Sequence, residues 1–315
     1  MEQAEFIWMN GEVVPWAEAK VHVLTHGLHY GTSVFEGIRA YDGELGTAVF
    51  RHTEHLERLH ESARLFYMDI PYSVEELRAA TLDLIARNGL AHCYIRPLAT
   101  RGYGVMGLNP LEAPVDVVIA VWPWGSYLGD EGKQKGIRAK VSSWRRFAPD
   151  ALIPHAKASG QYLNSVLAKV ESLKGGYDEA IMLDAQGVVS EGSGENIFIV
   201  RNGQLIEPPQ TASVLDGISR RTIHALAADA GLEVTSRDIA RAELYLADEV
   251  FLTGTAAEVV PVREIDDRPI GSGEPGPVTR KLQERYDDAV HGRGGLHLEW
   301  LDPVVSPAGA SAADA

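Results

Sequence analysis

Two Asn-Gly pairs constrain this chain most. Asn10-Gly11 lies between Phe6-Ile-Trp-Met9 and Val13-Val14, and Asn202-Gly203 lies between the apolar run 196–200 and Gln204-Leu-Ile206. Asn-Gly takes the positive φ that a two-residue turn demands, so each pair predicts an antiparallel hairpin. Hairpins in both halves exclude an all-helical chain. Apolar runs at 38–41, 48–50, 93–100, 115–122, 137–144, 179–184 and 249–253 predict further strands. Val21-His-Val-Leu24 joins the strands and turns of the first part, whereas 26–37 has no clean period and reads as irregular chain close to something bound.

Helical patterns fall between these strands. Thr53 is the expected N-cap of a helix with Leu56, Leu59, Ala63 and Phe66 on one face. Ser73-Val-Glu-Glu76 is a capping box opening a second helix, closed by Asn88-Gly89. Leu163, Val166, Leu167, Val170 and Leu173 mark a third helix, and 219–230 and 279–290 two more. Strands mixed with segregated helices give an α+β class, and 315 residues suit two domains. We place a small N-terminal domain at 1–122 and a linker at 123–135, which is glycine-rich, charged and aperiodic. A larger domain follows at 136–303, then a disordered tail at 304–315 of small residues and proline.

Composition excludes some function classes. A formal net charge of −15 repels phosphodiester backbones, so nucleic acid is not an expected partner. No window is apolar enough to span a membrane, and the acidic start Met1-Glu-Gln-Ala-Glu5 does not resemble a secretory signal. The single cysteine, Cys93, suits a reducing cytoplasm and reads as a buried, inert thiol. His26, His29, His52, His55 and His60 lack a metal-ligand spacing such as HExxH, so no metal is expected and they read as packing or helix-surface residues.

The chemistry-bearing stretches are individually open to plain readings. Lys157 stands alone among small and polar neighbours in Ile153-Pro-His-Ala-Lys-Ala-Ser-Gly-Gln-Tyr-Leu163, either a loop lysine or a covalent anchor. Ser190-Glu-Gly-Ser-Gly-Glu-Asn196 presents Glu191 on a glycine turn, or is a surface loop. Leu215-Asp-Gly-Ile-Ser219 opens a helix whose free amides suit a phosphate, or carries a serine N-cap. Thr253-Gly-Thr-Ala-Ala-Glu258 offers a second set of amides, or is a capped turn. Gly102-Tyr-Gly-Val-Met-Gly107 satisfies GxGxxG, but Leu108-Asn-Pro110 follows, and proline argues against the helix that a dinucleotide fingerprint needs. Together, a lysine, a carboxylate and two anion-binding amide clusters are the parts that hold pyridoxal 5′-phosphate.

The motifs His29-Tyr-Gly-Thr-Ser-Val-Phe-Glu-Gly37, Tyr94-Ile-Arg-Pro-Leu98, Val141-Ser-Ser-Trp144, Ala156-Lys-Ala158, Ser190–Asn196 and Thr253–Glu258 occur in one order over 6–303. In them the chain resembles the branched-chain amino-acid aminotransferases of pyridoxal-phosphate fold type IV, a D-amino-acid-aminotransferase-like fold with a small N-terminal domain and a larger pseudo-barrel domain. The resemblance implies that Lys157 is the Schiff-base lysine, Glu191 the partner of the ring nitrogen, and Tyr162 that of the phenolic oxygen. It implies a phosphate site of Arg58 with Gly217, Ile218, Ser219, Gly254 and Thr255. It also implies that Tyr94, Arg96, Thr255 and Ala256 bind the substrate carboxylate. Tyr30, Phe35, Gly37, Trp124 and Tyr127 would form the apolar pocket, with Met106 and Gly107 arriving from a second subunit of a dimer or hexamer.

The implied reaction moves an amino group reversibly from L-leucine, L-isoleucine or L-valine to 2-oxoglutarate, with Lys157 as the base once freed. Arg39 and Arg101 are candidates for receiving the second carboxylate of the acceptor. Rival readings are a D-amino-acid or (R)-amine aminotransferase or an aminodeoxychorismate lyase of the same fold, a nicotinamide-dependent oxidoreductase using the Gly102 loop, and a binding protein without catalysis.

Overall fold

A computed structural model describes residues 2–125 and 128–305, and their contacts group them into two compact units. The first takes the chain up to Trp124, returns for Ala156–Gly160 and resumes at Asp288; the second is Gly125–His155 and Gln161–Asp287. This departs from the single continuous domain expected over 136–303, because backbone pairing draws the Lys157 segment into the first unit. Ala158 bridges Val34, Phe35 N–H donates to the Lys157 carbonyl at 3.0 Å, and Gly160 N–H donates to the Gly31 carbonyl at 3.2 Å.

Among its described residues the first unit carries an eight-stranded sheet. Its order is Leu301–Pro303, Gly46–Phe50, Ile38–Gly43, Cys93–Arg101, Val115–Trp122, Phe6–Met9 and Glu12–Pro15, with Ser33–Phe35 also paired to Cys93–Arg101. The first hairpin turns at Asn10 (φ 50°) and Gly11 (φ 95°) and pairs Met9 with Glu12. The helices His52–Leu65 and Val74–Arg87 bury Leu56, Leu59, Leu77, Leu84 and Ile85 completely. The Ser73–Glu76 capping box forms as expected. The earlier helix starts without Thr53: Arg51 takes a left-handed φ of 52°, donates its N–H to the Trp300 carbonyl at 2.6 Å, and leaves the helix with no side-chain cap.

Two further expectations fail locally. Residues 26–37 are ordered as the short helix His26–Tyr30 and the strand Ser33–Phe35, whereas 21–24 turn rather than extend, with Leu24 N–H donating to His22 Nδ1 at 3.1 Å. Cys93 is buried, and that burial pushes its thiol up to about 12.

The second unit carries a nine-stranded sheet among its described residues. The order is Val189–Gly192, Glu179–Leu183, Ile137–Val141, Glu258–Ile265, Glu249–Gly254, Asn196–Arg201, Gln204–Glu207 and Val234–Ser236, with Arg268–Pro269 edging Glu258–Ile265. Ile137–Val141 runs parallel to both neighbours, and the Asn202-Gly203 hairpin pairs Arg201 with Gln204. Ile137, Ile181, Val189, Ile197, Leu252 and Val262 belong to one core. The strand expected to reach Trp144 stops at Val141, where Ser142 turns to accept the Trp144 N–H at 3.0 Å. The linker contains the helix Gly129–Lys135, which the scarcity of apolar residues had hidden.

The helix Tyr162–Lys174 inverts its sequence pattern. It buries Ser165, Ala168 and Ser172, with Ala168 against Ala180 and Met182, and exposes Leu163, Val166, Leu167, Val170 and Leu173. Small residues let the helix approach the sheet closely, so the apolar stripe is turned outward. Among the described residues no helix is long and apolar enough to cross a membrane.

Gly31 is where the first unit receives the Lys157 segment. Its φ is 67°, and a Cβ there would lie 2.7 Å from Gly160 Cα. Gly31→Ala is therefore expected to cost about 1–3 kcal/mol in urea unfolding; an unchanged midpoint would show that this close approach is dispensable.

Candidate active site

In the first unit Lys157 is clamped by its own backbone. Its N–H donates to Ser62 Oγ at 3.0 Å, and its carbonyl accepts the Phe35 N–H at 3.0 Å. The neighbouring Ala156 and Ala158 are buried, whereas the lysine is partly accessible, with Nζ 5.3 Å from the centroid of the Phe35 ring.

The helix His52–Leu65 supplies that clamp and a charged cluster from one face. His55, Arg58 and Ser62 recur at helical spacing, so they point the same way. Arg58 grips the Glu36 carboxylate with two nitrogens, Nε to Oε1 at 2.7 Å and Nη2 to Oε2 at 2.8 Å. His55 Nδ1 lies 2.7 Å from Oε2 of the same carboxylate. Burial alone would raise the Glu36 carboxyl, but the Arg58 guanidinium and the His55 ring outweigh it and hold the group well below the usual carboxylate range. Burial also lowers His55, aided by the positive charges of Arg58 and Lys157 and opposed by Glu36, so that its ring stays neutral near pH 7. His55 and His52 are thus buried packing histidines, and neither is a helix-surface residue.

Several implied substrate residues gather on the same sheet. Arg96 lies with its guanidinium carbon 4.7 Å from the Phe35 ring centroid and 5.3 Å from that of Tyr94, and donates to Tyr94 Oη at 3.3 Å. Trp124 packs on Tyr94 with centroids 5.0 Å apart. Gly37 belongs here for a steric reason, since a Cβ on it would meet Tyr94 Oη at 2.0 Å. Tyr30 and Met106 are exposed; His26 holds the Gly107 carbonyl at 2.8 Å through Nε2, and its ring lies tilted beside that of Tyr30, centroids 4.5 Å apart. The Gly102 loop starts no helix, in accord with the proline argument. Tyr127 lies outside the described residues. Arg39 and Arg101 are buried, and the carboxylate role considered for them does not fit: Arg39 pairs with His92 Nε2 at 2.8 Å, and Arg101 donates to the carbonyls of Ala113 and Tyr67.

In the second unit Glu191 is buried and oriented from three sides. Its Oε1 lies 2.9 Å from Arg146 Nη2, and its Oε2 accepts the Leu215 N–H at 2.9 Å and the Asn196 Nδ2 donor at 3.3 Å. The helix Ile218–Asp229 begins on Gly217 with no side-chain cap, so Ser219 is not an N-cap. Asn196 explains the glycine, because a Cβ on Gly217 would meet Asn196 Oδ1 at 2.1 Å. First-turn amides with no capping side chain form an anion site by their dipole and donors. Gly254, Thr255 and Ala256 lie at the turn between Glu249–Gly254 and Glu258–Ile265, half-buried, with Thr253 Oγ1 donating to the Glu258 carbonyl at 2.7 Å. Tyr162 is the half-buried first residue of its helix.

These donor sets fit pyridoxal phosphate on chemical grounds: an accessible lysine on a fixed main chain, an arginine and uncapped helix amides for an anion, and a fixed carboxylate for a ring N–H. Glu36, His55, Arg146 and Asn196 escaped sequence reasoning. Only the spacing of 55, 58 and 62 on one helix face was readable.

Glu195, in the Glu191 turn, tests the electrostatics. Burial, and then the charge of Glu179, push its carboxyl up to about 8 from an ordinary 4.5. The unfolded chain releases that proton first, so stability falls as pH rises through this window and the cost is complete above it. Glu195→Gln removes the slope. It should gain up to a few kcal/mol over the parent near pH 9 and little near pH 4 in urea unfolding; a gain independent of pH would contradict this.

Comparisons with known proteins give the family. The family model described as amino-transferase class IV matches residues 33–265. The branched-chain-amino-acid aminotransferase of Salmonella typhimurium is 49% identical over 306 residues, 97% of this chain and 99% of the relative. The crystal structure of the Escherichia coli branched-chain amino acid aminotransferase superposes with a TM-score of 0.94 at 49% identity, covering 96% of this chain and all of that one. The branched-chain amino acid aminotransferase from Thermobaculum terrenum, described in its PLP-form, superposes with a TM-score of 0.90 at 38% identity, over 97% of this chain and all of that one. A lysine on a clamped main chain, a fixed carboxylate and two amide clusters thus occur in a chain similar to these proteins over nearly its whole length: it belongs to the class IV aminotransferases, among the branched-chain amino-acid aminotransferases.

Proposed function

We propose that Lys157 is the covalent anchor of pyridoxal 5′-phosphate in a transaminase acting on L-leucine, L-isoleucine and L-valine with 2-oxoglutarate as acceptor. The observation that carries the reading is the backbone clamp on Lys157, which fixes its main chain through Ser62 and Phe35 while its side chain keeps access. Similarity to proteins named for branched-chain amino acids supports the substrate class, and a relative described in its PLP-form supports the cofactor.

When bound, pyridoxal phosphate supplies an electron sink for the charge left on the donor's Cα. Every other task falls to side chains and amides. Glu191 holds a proton at the ring nitrogen, and Tyr162 donates to the phenolic oxygen. Arg58, Gly217, Ile218, Ser219, Gly254 and Thr255 hold the phosphate. Lys157 Nζ, once freed, carries the proton taken from the donor's Cα. Tyr94, Arg96 and the amides of Thr255 and Ala256 bind the α-carboxylate, and Tyr30, Phe35, Gly37, Trp124 and Tyr127 receive the branched side chain.

The reading includes a homo-oligomer in which a second copy supplies Met106 and Gly107. The exposed stripe Leu163, Val166, Leu167, Val170 and Leu173 supports it, because so much contiguous apolar surface on one helix calls for a cover. A cytoplasmic setting is also part of the reading, supported by one buried cysteine in the sequence.

Lys157→Ala should abolish transamination, and substantial residual turnover would sink the assignment. Glu191→Gln should lower kcat by about 10²–10³-fold or more with the cofactor still bound; parental rates would remove its role at the ring. A panel of L-leucine, L-isoleucine, L-valine, D-alanine and (R)-phenylethylamine should give turnover on the first three. Preference for either of the last two would transfer the chain's activity to another branch of the same fold.

A further inference from the structure

We propose that Glu36 is a positioning residue for the cofactor's phosphate, setting the plane and direction of the Arg58 guanidinium. The inference rests on the reading of Arg58 as a phosphate ligand and adds a residue to which that reading gave no task.

Glu36 is fully buried, and its carboxylate spans the Nε–Nη2 edge of Arg58 in a two-point grip at 2.7 and 2.8 Å. One hydrogen bond would let a guanidinium swing about the contact. Two parallel ones fix its plane and the direction of its opposite edge. Glu36 is itself anchored: its N–H donates to the Pro97 carbonyl at 2.9 Å, and His55 Nδ1 lies 2.7 Å from Oε2. The orienting carboxylate is therefore not a mobile partner.

The same two pieces of chain that hold Arg58 also hold Lys157. Phe35, the residue before Glu36, donates its N–H to the Lys157 carbonyl at 3.0 Å. Ser62, one helical turn beyond Arg58, accepts the Lys157 N–H at 3.0 Å. In a molecule attached to Lys157 at one end and carrying a phosphate at the other, bond lengths fix the separation of the two ends. A protein that binds both must present them in register before the molecule arrives. The Phe35-Glu36 pair and the Arg58–Ser62 helix turn supply that register within one unit. A buried carboxylate is a costly way to fill space, since apolar side chains of similar size pack as well or better. Its orientation of Arg58 is the property an apolar residue would not reproduce.

Glu36→Gln tests this. If the amide oxygen replaces Oε2, its NH₂ faces the Arg58 Nε–H, donor against donor, and the two-point grip is lost. Full-length protein resolved of its cofactor is titrated with pyridoxal phosphate and, separately, with pyridoxal, which lacks the phosphate. Loss of a charge-assisted pair predicts about ten- to a hundred-fold weaker pyridoxal phosphate binding with pyridoxal binding unchanged. The ³¹P resonance of the reloaded protein should shift toward that of the free cofactor. Equal weakening toward both molecules would reduce Glu36 to a structural residue, and unchanged affinity for pyridoxal phosphate would overturn the proposal. Arg58→Lys serves as the control. If it spares pyridoxal phosphate binding, the phosphate role of Arg58 fails first; if it weakens that binding and Glu36→Gln does not, the proposal alone fails. Should Glu36→Gln not fold, Glu36→Asp keeps the buried charge but shortens its reach by a methylene, and the same two titrations decide.

Discussion

A carboxylate removed from water needs a counter-charge and hydrogen-bond donors around it, and Glu36 is that constraint in the first unit. Its partners Arg58 and His55 come from one helix, its backbone is tied to Pro97, and its neighbour Phe35 is tied to Lys157. Desolvating the charge is tolerable because a two-point guanidinium contact and an imidazole meet it. The consequence is geometric. One helix and one strand end are locked to each other, and the segment carrying Lys157 is hydrogen-bonded to both. The first unit therefore brings the main chain of Lys157 and the Arg58 guanidinium into one fixed frame.

The second unit solves its part of the problem by similar means. Asn196 donates to Glu191 and, from the same amide nitrogen, to the Leu215 carbonyl at 2.9 Å. Its oxygen also excludes any side chain at Gly217, the start of the helix Ile218–Asp229. One residue thus couples the orientation of the carboxylate to the bareness of a helix N-terminus. Arg146 completes the set at 2.9 Å from Glu191. Glu195 shares the Glu191 turn, and its raised carboxyl shows what burial, and then the charge of Glu179, costs there.

What was legible in the sequence was local. Both Asn-Gly hairpins, the Ser73 capping box and the Asn88-Gly89 helix stop act within a few residues, so their chemistry survives translation into structure. The unit to which Lys157 belongs was not legible, because it depends on pairing with Val34 and Phe35, far earlier in the chain. The helix Tyr162–Lys174 misled in a different way: its apolar stripe faces outward because Ser165, Ala168 and Ser172 permit a closer approach to the sheet than leucines would. Whether Ser219 caps its helix stayed open in the sequence, because the Asn196 contact that requires glycine at 217 comes from a distant stretch. Glu36 lay in plain view within a motif, but a carboxylate between phenylalanine and glycine shows its partner only when the helix at 52–65 is folded against it.

In the proposed function Lys157, and no other lysine, carries the cofactor. Reduction of the pure protein with borohydride, followed by peptide mapping, tests it most directly. A pyridoxyl group is expected on the peptide containing Lys157, and none if the protein is first incubated with L-leucine. A pyridoxyl group on any other lysine, or on none, would contradict it.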